Sequence, residues 1–179
     1  YFVDSPLSTK ATQIIKSYPQ YFNQRIQKVL MSDSDPFDFP GLKFTKSVED
    51  SKMLNYHSNP CVIISASGMA EAGRIKHHIS NNIENSRNTI LLTGYCEPNS
   101  LGGRLMRRPK EVTIFGHPHE VNAEIAEMRS MSAHGDYDDL CQFLACQDPK
   151  LVKKIFVVHG EYPVQECRQD LQMGPEGRL

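Results

Sequence analysis

Two histidines in the C-terminal part of the chain occupy positions where imidazole can do chemistry. His134 lies in the segment Ser-Ala-His-Gly-Asp (132–136), and the residues after it predict a helix that has Asp136 as its N-cap. His159 ends the apolar run 155–158. A histidine at the end of a buried strand lies at the sheet edge where ligands bind, and imidazole serves as a metal ligand or a proton carrier near neutral pH. The two histidines could converge on one site, although an ordinary strand end and an ordinary helix cap explain the same spacing.

The composition gives only broad limits on function. The 179 residues are 39% hydrophobic and 23% charged, which is typical of a soluble globular protein. The net charge is −1, so any nucleic-acid binding must use a local basic patch. No apolar run approaches the roughly 20 residues of a transmembrane helix. We expect a cytoplasmic protein without a membrane partner and, because the chain opens without methionine, a piece of something longer.

The five cysteines do not form a recognisable framework. Their number is odd and no Cys-x-x-Cys pair is present, which favours buried, reduced thiols over disulfides or a zinc knot. They are Cys61, Cys96, Cys141, Cys146 and Cys167.

Strand and helix patterns alternate along the chain. This alternation predicts an α/β fold in layers, with a mostly parallel sheet flanked by helices. Residues 121–131 alternate in polarity and predict an antiparallel or edge strand. The strands are predicted at 1–3, 61–65, 89–93, 111–115 and 154–159.

The segment 66–68 follows a predicted strand and precedes a helical pattern from Met69 to Ile83. This order predicts free N–H groups at a helix N-terminus, where anions bind, although a small-residue turn is weak evidence for phosphate contact by itself. His77 and His78 are neighbours and face different sides of this helix, so they cannot act as an i, i+4 metal pair. We expect one to pack and the other to reach a site.

Two further clusters have both an ordinary and a chemical interpretation. The first cluster is a run of four basic residues, which is typical of a solvated face but is also large enough to hold a phosphodiester backbone. His117-Pro-His119 is predicted to lie in a turn at 116–119, as exposed loop residues rather than metal ligands. The basic run is Arg104, Arg107, Arg108 and Lys110.

Five motifs occur in an order and at intervals that resemble the β-CASP branch of the metallo-β-lactamase superfamily, a group of RNA-processing nucleases. Asp4-Ser-Pro-Leu7 also resembles the family's turn after a strand, and the likeness covers about residues 1 to 165. The motifs are Ile64–Met69, Gly73–His78, Gly94-Tyr95, Ser132–Asp136 and Val158–Glu161.

The resemblance implies a fold and an activity. Residues 1–130 would form an N-terminally truncated β-CASP domain, and 131–179 the C-terminal segment of a metallo-β-lactamase αββα domain. The parent protein would be a zinc-dependent ribonuclease. His134 matches the histidine that protonates the leaving oxygen or stabilises the transition state, and His159 matches a ligand of one of two zinc ions.

The resemblance also implies a substrate-binding group. Ser67, Gly68, Arg74 and His78 would line the cleft between the two domains and hold the RNA backbone through helix N–H groups and charge-assisted hydrogen bonds. RNA is the expected partner, and a homodimer is the candidate assembly.

The family's His-x-His-x-Asp-His motif is missing from this chain. A catalytic zinc needs about three protein ligands, so one histidine cannot hold it. We therefore expect two zinc ions in the full-length parent, an incomplete or empty zinc site in this chain, and no activity from this chain alone.

Two alternatives remain open on the sequence. A non-catalytic scaffold with the β-CASP fold could bind RNA or a partner, although both motif histidines favour the enzyme. A nucleotide-binding domain that uses the turn at 65–68 is disfavoured, because neither Gly-x-Gly-x-x-Gly nor Gly-Lys-Ser/Thr is present.

Overall fold

The computed structural model describes residues 1–33, 35–131, 135–148 and 150–154. The chain divides into two compact units, Tyr1–Ser132 and Ala133–Leu179. The described residues form helices and mainly parallel strands, which confirms the predicted α/β class. Among them, no helix has both the length and the apolar character needed to cross a membrane.

A parallel sheet of three short strands opens the first unit, with β1 in the centre. Phe2 pairs with Lys43 on one side and with Ile63 on the other. The strands are β1 (Phe2–Val3), β2 (Lys43–Phe44) and β3 (Ile63–Ile64). The helices between them are α1 (Pro6–Lys16), α2 (Gln24–Leu30) and α3 (Val48–Met53).

The helices α1 and α3 begin at residues that cap a helix N-terminus. The Ser5 hydroxyl accepts from the Ser8 N–H at the start of α1, whose first residue is proline. Ser47 and Asp50 form a reciprocal capping box at α3. The helix α1 therefore begins at Pro6, directly after its cap.

The second part of this unit contains one more parallel pair and one hairpin. In the parallel pair β4 lies beside β7, and in the hairpin β5 lies antiparallel to β6. The elements are α4 (Arg74–Asn82), β4 (Thr89–Leu92), α5 (Leu101–Met106), β5 (Glu111–Ile114), β6 (His117–Glu120) and β7 (Glu124–Glu127).

Residues 121–131 were predicted to form an antiparallel or edge strand, and among the described residues β7 pairs with β4 alone, which matches the edge alternative. The antiparallel alternative is wrong. Ile125 of β7 pairs with Ile90 of β4 in a parallel ladder. The chain between these strands includes α5 and the hairpin, so it is long enough for the crossover that parallel pairing requires.

The apolar core lies in this second part of the unit. The alternating strands β4 and β5 each bury one face, and α5 adds Leu101 and Leu105 from positions one helical turn apart. A Cβ atom on Gly103 would lie 2.1 Å from the Glu97 carbonyl oxygen, so glycine lets α5 approach the preceding loop. The core consists of Ala70, Ile79, Ile83, Ile90, Leu92, Cys96, Leu101, Leu105, Val112, Ile114, Ala123 and Ile125.

Two local predictions differ from the structure. The helix expected from Met69 begins at Arg74, because the chain makes turns through positive φ at Ala70 (58°) and Gly73 (81°). The turn expected at 116–119 consists of Phe115 and Gly116, so the His-x-His residues lie in β6.

The described part of the second unit contains the helix α6 (Tyr137–Ala145). Asp136 is its N-cap and forms a capping box with Asp139, which confirms the predicted cap.

The prediction of buried cysteines is only partly correct. Cys96 is buried, Cys141 is half-buried, and Cys61 and Cys146 are exposed. Cys61 is exposed because the strand predicted at 61–65 begins only at Ile63. All four are free thiols, and Cys167 lies outside the described residues.

Candidate functional site

The carboxylate of Asp4 is the centre of a buried polar network. Asp4 follows β1 and is 0% exposed. Its Oδ1 accepts from Arg74 Nη1 at 2.6 Å and from the Thr45 hydroxyl. Its Oδ2 accepts from Ser51 Oγ at 2.5 Å and lies 2.6 Å from His78 Nε2. Four side chains from distant parts of the sequence therefore meet one carboxylate.

Secondary structure brings these groups together. Asp4 and Thr45 each directly follow a strand of the parallel sheet, and the carboxyl ends of parallel strands meet at one edge. Arg74 and His78 are separated by about one turn of α4, so both face the same side. The Asp4 main chain is also held, since its N–H donates to the Ile64 carbonyl at 2.8 Å.

These contacts fix the protonation state of Asp4. Burial opposes ionisation and by itself would raise the pKa of the carboxyl group. Hydrogen bonds from Ser51, Thr45, His78 and Arg74 outweigh burial and lower this pKa from 3.8 to about 2. Because the ionised carboxylate can only accept, His78 Nε2 is the donor in their hydrogen bond.

Arg74 and His78 both turn toward Asp4. The family resemblance assigns them to an RNA-binding cleft, and that role stays a prediction. His78 is 6% exposed, with its Nδ1 buried and without a partner among the described residues. His77 is its exposed neighbour on the same helix.

Ser67 and Gly68 lie on the surface beside this network. The Ser67 N–H donates to the Ala72 carbonyl at 3.2 Å, and the Ser67 carbonyl accepts from Ala70 at 3.0 Å. This is a turn and not the helix N-terminus that was predicted, since α4 begins later. Space is open above Gly68, where an added Cβ would have no heavy atom within 4 Å.

The residues around Asp4 indicated a turn, but residue spacing did not indicate the partners of the Asp4 carboxylate. Asp4-Ser5-Pro6 was predicted as a turn into a helix, and Ser5 does cap α1. The partners of Asp4 are far away in sequence, up to 74 residues for His78. No local pattern indicates such a pairing.

The basic run lies mainly on a solvated face. Arg107, Arg108 and Lys110 are exposed. Arg104 is half-buried and directs Nη1 toward the Thr113 carbonyl at 3.5 Å. These exposed side chains match the prediction of a solvated face. Their positive charge is also accessible to a polyanion.

The described residues do not fit a zinc ion. None of their His, Cys, Asp and Glu side chains form a group of three or more that could hold a metal. His119 instead joins β6 to α4, with Nδ1 2.9 Å from Glu84 Oε1 and Nε2 3.2 Å from Ser80 Oγ. His134 and His159 lie outside the described residues, so no geometry is assigned to them.

Comparison with known families gives two matches along the chain. Residues 1–105 match the family model described as the Beta-Casp domain. Residues 118–172 match the model described as the Zn-dependent metallo-hydrolase RNA specificity domain.

Individual relatives are similar over most of this chain. Ribonuclease TTHA0252 of Thermus thermophilus is 30% identical over 89% of the chain and 36% of the relative. An RNase J-like protein of Methanocaldococcus jannaschii is 30% identical over 84% of the chain and 33% of the relative. Cleavage and polyadenylation specificity factor 73 of Drosophila melanogaster is 25% identical over 88% and 22%. The chain thus spans between about a fifth and about a third of the length of these relatives.

Proposed function

Because this chain belongs to the Beta-Casp family, we propose that it is part of a zinc-dependent ribonuclease that hydrolyses RNA phosphodiester bonds in RNA processing or decay. The observation that carries the proposal is the presence, in one chain, of the Beta-Casp match followed by the match to a metallo-hydrolase RNA specificity domain. The relatives named as a ribonuclease and as RNase J-like support the same reaction.

Two histidines carry the proposed chemistry. The family resemblance assigns proton donation to the leaving oxygen, or transition-state stabilisation, to His134. It assigns a place in a site of two zinc ions to His159. The described residues do not supply the remaining ligands, so this chain alone is expected to be inactive.

The Asp4 network would position the RNA-binding surface. Through Arg74 and His78 it fixes α4 against the strand ends, next to the turn that contains Ser67 and Gly68. In our proposal the exposed Ser67 hydroxyl and the open backbone at Gly68 contact RNA, because a glycine lets a phosphate approach the main chain closely. Arg74 and His78 then act as positioning residues for that turn.

Two further expectations stay proposals, namely a cytoplasmic location and a homodimer. The free state of the four described cysteines supports a reducing compartment. Size-exclusion chromatography with light scattering on the full-length protein tests the assembly, and a monomeric mass would contradict the homodimer.

The nuclease proposal is tested on the full-length protein by zinc analysis and by cleavage of a labelled single-stranded RNA. We expect about two bound zinc ions and cleavage by the wild type. His134→Ala should bind zinc but lose cleavage, and His159→Ala should lose both. His57→Ala is the matched control, because His57 is exposed and lies outside the family motifs. RNA binding by a wild type that neither holds zinc nor cleaves would replace the enzyme with the scaffold.

The same cleavage assay tests whether the turn at Ser67 and Gly68 contacts RNA. Ser67→Ala should raise the KM for RNA and leave zinc content unchanged, since it removes the proposed contact to the polymer and, within the chain, only a 3.5 Å hydrogen bond to the Ala72 carbonyl. Ser86→Ala is the control, because Ser86 is another exposed serine of the same unit. Equal KM values for the two variants would remove Ser67 from the RNA-binding surface.

A further inference from the structure

We propose that the tip of the β5–β6 hairpin is a stacking platform for a base of single-stranded RNA, with Phe115 as the platform. The inference deepens the proposed function and rests on it, since it names a contact for the RNA that the nuclease would cut. It concerns a surface distinct from the turn at Ser67 and Gly68.

The position of Phe115 is unusual for such a side chain. Phe115 and Gly116 are the two residues between the paired Ile114 and His117, and both have positive φ, at 52° and 81°. Two-residue hairpin turns of this kind favour Asn, Asp or Gly at the first position, because a bulky side chain is disfavoured in the left-handed region. The hairpin therefore holds an aromatic ring where the local backbone would prefer a small polar residue.

Core packing does not explain this ring. The neighbouring Ile114 is 1% exposed, whereas Phe115 is 49% exposed. His77 stacks on Phe115 with the ring centroids 4.6 Å apart and 30° between the planes. Lys76 Nζ lies 5.2 Å from the centroid of the same ring. These contacts set the orientation of the ring while about half of the residue stays accessible.

Positive charge accompanies the ring. Lys76 contacts it directly, and Arg104 reaches the adjacent strand at the Thr113 carbonyl. The carboxylate of Glu71 lies 3.5 Å from Lys76 and 3.8 Å from Arg104, so one anion faces two cations. An aromatic surface beside cations that outnumber their anion is the combination that binds single-stranded nucleic acid, with a base on the ring and the phosphates beside the charges.

The occupant is single-stranded rather than duplex RNA. A base in a duplex is already stacked between its neighbours and offers no free face to a protein ring. An apolar protein segment would gain from the ring but not from Lys76 and Arg104. Charge and shape together therefore favour an unpaired nucleotide.

The decisive variant is Phe115→Asn in the full-length protein. Asparagine suits a left-handed turn position, so this change removes the ring while the hairpin is kept or stabilised. We expect the affinity for a fluorescent oligouridine RNA to fall about 5- to 160-fold, the range for loss of one stacked base. Binding is measured by anisotropy in a His159→Ala background, so that RNA is not cut, and thermal unfolding by circular dichroism confirms the fold.

Two matched measurements make the result specific. Phe115→Tyr keeps a ring and should bind as the parent does. Duplex RNA should bind the parent and Phe115→Asn equally, because only charge contacts it at this surface. If Phe115→Asn binds oligouridine as tightly as its parent, or loses duplex and single-stranded binding to the same degree, the platform is overturned.

Failure of the proposed function would look different. A wild type that neither binds nor cuts RNA overturns the nuclease and the platform together. A wild type that cuts RNA, combined with an unaffected Phe115→Asn variant, overturns the platform alone.

Discussion

In residues 1–64 the buried side chains are mostly polar, whereas in residues 70–125 they are mostly apolar. Asp4, Ser5, Thr45 and Ser51 are buried in the first region, with Leu54 as its one buried hydrophobic side chain. All residues of the apolar core lie in the second region.

The apolar residues of the first region are largely accessible. Ile14 and Ile15 of α1 are 61% and 46% exposed. Leu7 in the same helix is 75% exposed. The first region therefore relies on the hydrogen bonds of one carboxylate, and the second on apolar surface removed from water. The two should respond differently to mutation and to acid.

The largest effect is expected from Asp4→Ala. It leaves the half-buried Arg74 and the buried His78 without their acceptor, and removing one partner of a buried pair costs about 3–5 kcal/mol. Hydrogen exchange measured by mass spectrometry on the full-length protein should rise across residues 1–64 and in α4, which carries Arg74 and His78, and little across residues 89–125. Asp38→Ala removes an exposed carboxylate and is the control. Uniform acceleration in both regions would show that they are not separate in stability.

A comparable or smaller effect, in the opposite region, is expected from Leu105→Ala. Leu105 is 0% exposed, and truncating a buried leucine costs about 2–5 kcal/mol. Exchange should now rise across residues 70–125. Leu91→Ala is the matched control, because Leu91 is 48% exposed in β4 and should lose little free energy. If both leucine variants behaved alike, burial would not be what stabilises this region.

The smallest effect is expected from acid. Since the folded pKa of Asp4 is lowered from 3.8 to about 2, its contribution to stability is full above about pH 4 and is lost as the pH falls toward 2. The loss is about 2 kcal/mol by linkage. Wild type should therefore be more stable than Asp4→Asn at pH 5, and this difference should shrink at pH 3 in urea unfolding. The penalty of Leu105→Ala should not change with pH. A constant difference between wild type and Asp4→Asn would contradict the assignment.

Sequence patterns predicted those features that depend on neighbouring residues. The α/β class follows from alternating patterns, and the Asp136 cap follows from a carboxylate just before a helical run. The extent of β3 could not be predicted, because the apolar run 61–65 pairs only at Ile63 and Ile64.

The candidate site was harder to predict from the sequence, because its contacts join residues that are far apart along the chain. Arg74 and His78 belong to the predicted substrate-binding group, but their partner Asp4 lies 70 and 74 residues away. Periodicity assigns a face to a helical residue and does not say what that face meets. The position of Phe115 in the hairpin turn was not predicted, because the turn was placed one residue too late, at 116–119.

The order of synthesis gives the Asp4 network a further consequence. Asp4 leaves the ribosome 74 residues before His78, and β1 leaves it about 60 residues before its partner β3. Until β3 has been made the central strand has no neighbour on that side, and until α4 has been made the carboxylate lacks Arg74 and His78. The segment around Asp4 must therefore wait for a later helix before it acquires all of its native contacts.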